Sequence, residues 1–182
     1  MKLNLVIRSY RLTRLFLIVA AAAWISLAPR AYGAAEAEPC STNPENRQLD
    51  FWLGEWNIAG PGSSPSATST VTAVLDKCII VENWDGGRGH KGENWFGYSP
   101  DDKSWHGMFA DNKGRVHIFI DGKVASGSAE FSGPSRQANG ETILNRVRIV
   151  RIGPNKVEQI WEKSSDSGAT WTTEFRGEYS RK

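Results

Sequence analysis

Glu82-Asn83-Trp84, at the end of the apolar run Cys78-Ile79-Ile80-Val81, is the first place in this chain where residue types and spacing suit chemistry. Residues two apart in an extended strand point to the same face, so a carboxyl and an indole lie side by side. A carboxyl desolvated among indoles holds its proton to higher pH and can shuttle it. Arg146 and Arg148 form a second same-face pair, and Gln159 and Trp161 a third. Asn94 and Tyr98 share one intervening strand, Trp105 and Phe109 the next. Read together, Trp84, Tyr98, Trp105, Phe109 and Trp161 are walls for a small apolar or aromatic guest. Glu82, Asn94, Arg146, Arg148 and Gln159 supply its polar contacts. In an enzyme of isomerase or cyclase type, Glu82 would be the acid/base and Arg146 would stabilise a developing anion. No G-x-S-x-G, no H-E-x-x-H and no thiol free to attack is present.

Three other patterns carry less. Gly87-x-Gly89-x-x-Gly92 spells a dinucleotide fingerprint, but that fingerprint opens a helix, and here Asn94-Trp95-Phe96-Gly97-Tyr98 follows as a strand. The segment reads as a basic rim loop in which Arg88, His90 and Lys91 attract anions. Ser164-Ser165-Asp166-Ser167-Gly168-Ala169-Thr170-Trp171 resembles the Asp-box of bacterial sialidases, a structural hairpin in that family and therefore a hairpin signal here. A haem barrel similar to nitrobindin would need, as in that family, a proximal histidine on a late strand, whereas His90, His106 and His117 fall in the first two-thirds of the chain. No metal and no cofactor is expected.

The elements that must position these side chains are short strands. Thr68 to Asp76 and Cys78 to Trp84 are joined by a tight turn; Glu93–Ser99, Ser104–Ala110, Arg115–Ile120 and Lys123–Phe131 follow as a meander. Thr142–Ile152 and Lys156–Lys163 form a long hairpin, and Trp171, Thr173, Phe175, Gly177, Tyr179 and Arg181 share one face of a last strand. About ten strands joined by hairpins suit an all-β, antiparallel up-and-down barrel with a cavity. Ahead of them, Thr42-Asn43-Pro44 offers a helix start, Leu49, Trp52 and Leu53 an apolar stripe at i, i+3, i+4, and Gly54 a stop. The spacing predicts a helix of about three turns plugging one barrel end.

Composition supplies the address. Residues 1–33 combine basic Lys2, Arg8, Arg11 and Arg14 with the apolar run Leu15–Ala28 and small residues at Ala31 and Gly33, the pattern of a signal peptide cleaved before Ala34. The remaining 149 residues, 34–182, suffice for one domain. The net charge of +2 loses the five basic residues of the leader, which leaves the remainder near neutral at −3, and no basic run tracks nucleic acid. Cys40 and Cys78, the whole cysteine complement of an exported chain, are expected to form a disulfide. A periplasmic or secreted protein with a small-molecule partner, no nucleic acid and no lasting membrane anchor is the expectation. The sequence leaves the oligomeric state open. Eight tryptophans, seven beyond the leader, exceed what a small core requires.

Leu49-Asp50-Phe51-Trp52-Leu53-Gly54-Glu55-Trp56 also carries a family likeness. Gly54-Glu55-Trp56 resembles the Gly-x-Trp signature opening the first strand of lipocalins and other calycin barrels. The whole stretch resembles the FDFWLGEW opening of a secreted bacterial family of unknown function with lipocalin-like barrels. The likeness continues through Glu82-x-Trp84, Trp105, Arg146, Gln159-x-Trp161-Glu162, Trp171 and Phe175-x-Gly177-x-Tyr179, while Gly107 and Phe109 stand where such families often carry Gln and Trp. It implies a closed barrel in which an arginine of the last strand, Arg181 or Arg176, stacks on Trp56.

Overall fold

A computed structural model describes residues 39–182 apart from residue 65. The expected signal peptide, residues 1–33, lies outside the described residues. Ten strands follow in chain order: β1 (Gly54–Ala59), β2 (Ala67–Val74), β3 (Ile79–Asp85), β4 (Lys91–Ser99), β5 (Ser104–Asp111), β6 (Val116–Ala125), β7 (Ser128–Arg136), β8 (Thr142–Gly153), β9 (Lys156–Ser164) and β10 (Thr172–Arg181). Each pairs antiparallel with its sequence neighbours, and β1 pairs with β10, closing an up-and-down barrel. Short hairpins force this order, because a strand that ends in a tight turn can only return beside itself. Closure then removes the unpaired edges.

The expected short N-terminal helix is present, but in a tighter and interrupted form. Two separate 3-10 turns, Glu45–Arg47 and Asp50–Trp52, replace a continuous three-turn helix. Their backbone bonds span three residues, as in Gln48 N–H to the Glu45 carbonyl and Trp52 N–H to the Leu49 carbonyl. A 3-10 coil repeats every three residues, and the buried residues are Asn46, Leu49 and Trp52, so this tighter period aims one row inward. The Asn43 side chain accepts the Glu45 N–H at 2.9 Å. Gly54 is not a helix cap either. It opens β1 with φ +132°, and a Cβ there would sit 2.2 Å from Arg181 Nη1. That guanidinium lies 4.4 Å over the Trp56 ring and donates to the Leu53 carbonyl at 2.9 Å, so Arg181 rather than Arg176 closes the plug. Arg176 instead donates to Glu158 outside the barrel.

Cys40 and Cys78 are bonded, with Cα atoms 4.9 Å apart, fastening the segment before the plug to the β2–β3 turn. Asn46 and Arg47 donate to the carbonyls of Cys78 and Lys77 at the same place. Inside this closed half, Trp52, Trp56, Phe96, Phe119, Phe131 and Tyr179 fill the barrel with no more than 1 % exposure. Phe96 stacks on Phe131 with ring centres 4.2 Å apart.

Candidate functional site

The two halves of the barrel are filled differently. Below the middle the interior is solid; above it, toward the β3–β4, β5–β6 and β9–β10 turns, the wall encloses a cavity of about 300 Å³. Trp84, Phe109, Trp161 and Phe175 supply its aromatic surface, and they meet edge to face: Phe109 and Trp161 at 5.1 Å, Trp84 and Phe175 at 6.2 Å. His117 belongs to the same wall, 5.0 Å from Trp161.

Glu82 forms the floor. It is fully excluded from solvent and is held by four strands. Ser69 Oγ donates to Oε1 at 2.8 Å and Asn94 Nδ2 to Oε2 at 2.7 Å. Gln159 Nε2 approaches Oε2 at 3.5 Å, and Tyr179 Oη lies 2.9 Å from Oε1. The Tyr179 hydroxyl is also 2.5 Å from Gln159 Oε1, and its single proton serves one acceptor at a time. Burial pushes the Glu82 carboxyl above its ordinary range, against the four hydrogen bonds that favour the charged form. Burial and the neighbouring Glu82 push Tyr179 up as well. Asn94 and Gln159 face both ways, bonding Glu82 below and lining the cavity above.

Strand register explains the grouping. Glu82, Asn94, Phe109 and His117 are consecutive partners across β3, β4, β5 and β6, one row around the wall. Trp84 stands two residues further along β3, one step nearer the mouth. At the mouth, Asp111 has no exposed side-chain surface and takes Arg115 Nε at 2.7 Å. His90 Nε2 lies 3.0 Å from Asp111 Oδ2 and 3.0 Å from Arg115 Nη2, so one ring nitrogen faces a carboxylate and a cation. Donation to the carboxylate is the charge-assisted choice. Burial would raise the Asp111 carboxyl, but bonds from His90 and Arg115 hold it well below the usual range. Lys163 donates to Glu174 at 2.8 Å across the opposite lip.

Three polar atoms of side chains that line this cavity are buried and have no hydrogen-bond partner: Trp84 Nε1, Asn94 Oδ1 and His117 Nδ1. Desolvation, followed by the charges of Lys163 and Arg115, pushes His117 below its ordinary range and favours the neutral ring.

Trp84, Asn94, Phe109, Gln159 and Trp161 therefore line one cavity, with Glu82 beneath them. Four other expected residues lie elsewhere. Tyr98 and Trp105 pack together at the closed end, where Trp105 Nε1 donates to Gln48 Oε1 at 3.1 Å. Arg146 and Arg148 alternate with buried Asn145, Val147 and Ile149, which puts the arginines on the outer face. There both donate to Glu162, and Arg146 covers Trp171 at 3.9 Å. Glu82 and Arg146 thus stand on opposite sides of the wall and do not form a catalytic pair. The apolar partners at Val147 and Ile149 were the available signal, since the apolar face of an alternating strand turns inward.

The sequence did not single out Arg115, His117, Lys163, Glu174 or Phe175, which line the cavity, or Tyr179, which bonds Glu82 beneath it. On β6 the outward residues Val116, Ile118 and Ile120 are exposed and apolar, so alternation there hides which face is inside. Of the rim loop, His90 reaches the cavity, whereas Lys91 pairs with Asp85 at 3.3 Å and Arg88 does not line the cavity. His106 is on the outer face of β5, bonded to Asp102 at 2.8 Å. The Asp-box segment is a hairpin turn, with Asp166 accepting the Thr170 N–H and hydroxyl at 2.9 and 2.6 Å; those bonds lower its pKa to about 2.

No protein-family model matches this chain, and no curated protein sequence matches it. Among the described residues no group of His, Cys, Asp or Glu is arranged to hold a metal ion, and no helix is long and apolar enough to cross a membrane.

Proposed function

We propose that this protein is an exported binding module that holds a small aromatic molecule in the open half of its barrel. The observation that carries the reading is the unequal filling of one closed barrel. The half beside the disulfide is packed solid, while the other leaves about 300 Å³ faced by indole and phenyl rings. That volume is at the lower end of small-molecule sites and suits one or two fused rings. The disulfide suits an oxidising compartment. The Arg181–Trp56 stack supports kinship with lipocalin-like barrels, and the fold is compatible with it. Binding rather than turnover is favoured because Glu82 is sealed under Asn94 and Gln159, out of reach of a guest.

Titration of purified protein with one- and two-ring aromatics, followed by indole emission and calorimetry, tests this. A guest against Trp84 and Trp161 shifts the emission. Trp84→Ala, which removes one wall, weakens binding by about 2 kcal/mol, roughly thirtyfold. Folded protein that gives neither an emission change nor heat across such a panel refutes the reading.

A further inference from the structure

We infer that the guest is an uncharged planar aromatic bearing both a hydrogen-bond donor and an acceptor on its ring edge, of the lactam, pyridone or phenol kind. This rests on the binding reading above and specifies the chemistry of the same cavity. Its basis is the unpartnered set Trp84 Nε1, Asn94 Oδ1 and His117 Nδ1. Buried polar atoms are normally paired, and leaving one unpaired is costly. An indole N–H only donates, so it calls for an acceptor on the guest. Asn94 Nδ2 is committed to Glu82 at 2.7 Å, which leaves its carbonyl oxygen calling for a donor. The neutral His117 ring takes either role. Asn94 and His117 flank Phe109 in one strand row, about 10 Å apart at two strand spacings. A bicyclic plane lying along Phe109 spans that gap.

The charges argue against an ionic guest. An anion would need an unpaired cation, yet Lys163 is bonded to Glu174 and Arg115 to Asp111. A cation would need an unpaired carboxylate, yet Glu174 and Asp111 are those same partners and Glu82 is sealed below. Taking Arg115 from Asp111 would leave a carboxylate with no exposed side-chain surface unpaired, a cost that an uncharged guest avoids.

Three probes of one ring size separate the possibilities: 2-quinolone, naphthalene and quinoline-2-carboxylate. The full chain is titrated with each and read by calorimetry. The expected order places 2-quinolone at least tenfold tighter than both others. His117→Phe and Trp84→Phe keep an aromatic wall but remove the ring nitrogens, and each lowers the ratio of quinolone to naphthalene affinity by about tenfold. Naphthalene binding as tightly as quinolone, or quinolone binding that both variants leave untouched, overturns the donor–acceptor assignment while the aromatic-binding reading stands. A preference for the carboxylate overturns the uncharged class. Failure of all three to bind folded protein removes the binding reading itself.

Discussion

Replacing Glu82 by Gln is the sharpest test of how the barrel floor is built. Glu82 lies among four hydrogen-bond partners with no exposed surface, and burial outweighs them in raising its carboxyl above the ordinary value of 4.5. The folded protein then keeps a proton that the unfolded chain releases as pH climbs past 4.5. Unfolding therefore releases a proton in that window, and the wild-type barrel loses stability as pH rises from about 4.5 to the raised folded-state value. One proton fixes the steepest slope at about 1.4 kcal/mol per pH unit. Gln keeps the size, offers its oxygen to Ser69 and Tyr179, and its amide to an Asn94 turned over to accept. It has no proton to lose. Urea unfolding of both proteins at pH 4 to 8, read by tryptophan emission and far-ultraviolet dichroism, isolates the effect. The lowered carboxyls, such as Asp102, Asp111 and Asp166, act equally in both and cancel in the difference. The stability of E82Q relative to wild type should climb with pH, approaching that slope, then level off. Parallel curves, with a difference constant within about 0.5 kcal/mol, would falsify the account: Glu82 would then be ionised throughout and its hydrogen bonds would outweigh its burial.

Two further outcomes follow from the plug and the mouth. Cys40→Ser with Cys78→Ser removes a bridge across 38 positions, and the loop-entropy relation puts the loss at about 3.9 kcal/mol in denaturant unfolding; a loss under about 1 kcal/mol would mean that the plug holds itself without the bond. His117 should titrate below the ordinary histidine value of 6.5 in a ring-proton NMR experiment, because desolvation and then the Lys163 and Arg115 charges oppose its protonation. Its contribution to stability is complete above pH 6.5 and is lost as pH falls through the folded-state value. Lys163→Met should move that titration upward, and a wild-type value above 6.5 contradicts the placement of the ring.

Much of the architecture was written locally. Hairpins at Pro100-Asp101-Asp102, Asp111-Asn112-Lys113-Gly114 and Gly153-Pro154-Asn155 fix the order of neighbouring strands, and that order leaves β1 and β10 to close on each other. The cysteine pair was legible from residue type and number, whereas the arginine over Trp56 was posed by the family likeness as Arg181 or Arg176 and only the structure selects Arg181. The short N-terminal helix was legible but its form was not, because Leu49 and Trp52 at i, i+3 fit either coil; the backbone bonds and the burial of Asn46, three residues earlier, select the 3-10 period.

The site divides along the same line. Alternation along a strand says which residues share a face, and this put Glu82 with Trp84 and Gln159 with Trp161. It does not say how deep each lies. Tyr98 and Trp105 share faces with Asn94 and Phe109, yet they sit at the plugged end, because depth depends on where each hairpin turns relative to the barrel axis. The partners of Glu82 come from β2, β4, β9 and β10, up to 97 positions away. A register shift in β5 between Trp105 and Gly107 and another in β10 between Thr173 and Phe175 set the final alignment. Sequence alone determined that the strands would curl into a barrel with aromatic residues on its inner face. Tertiary structure decided which half of that interior is solid and which polar atoms are left without partners, because both depend on contacts between strands far apart in the chain.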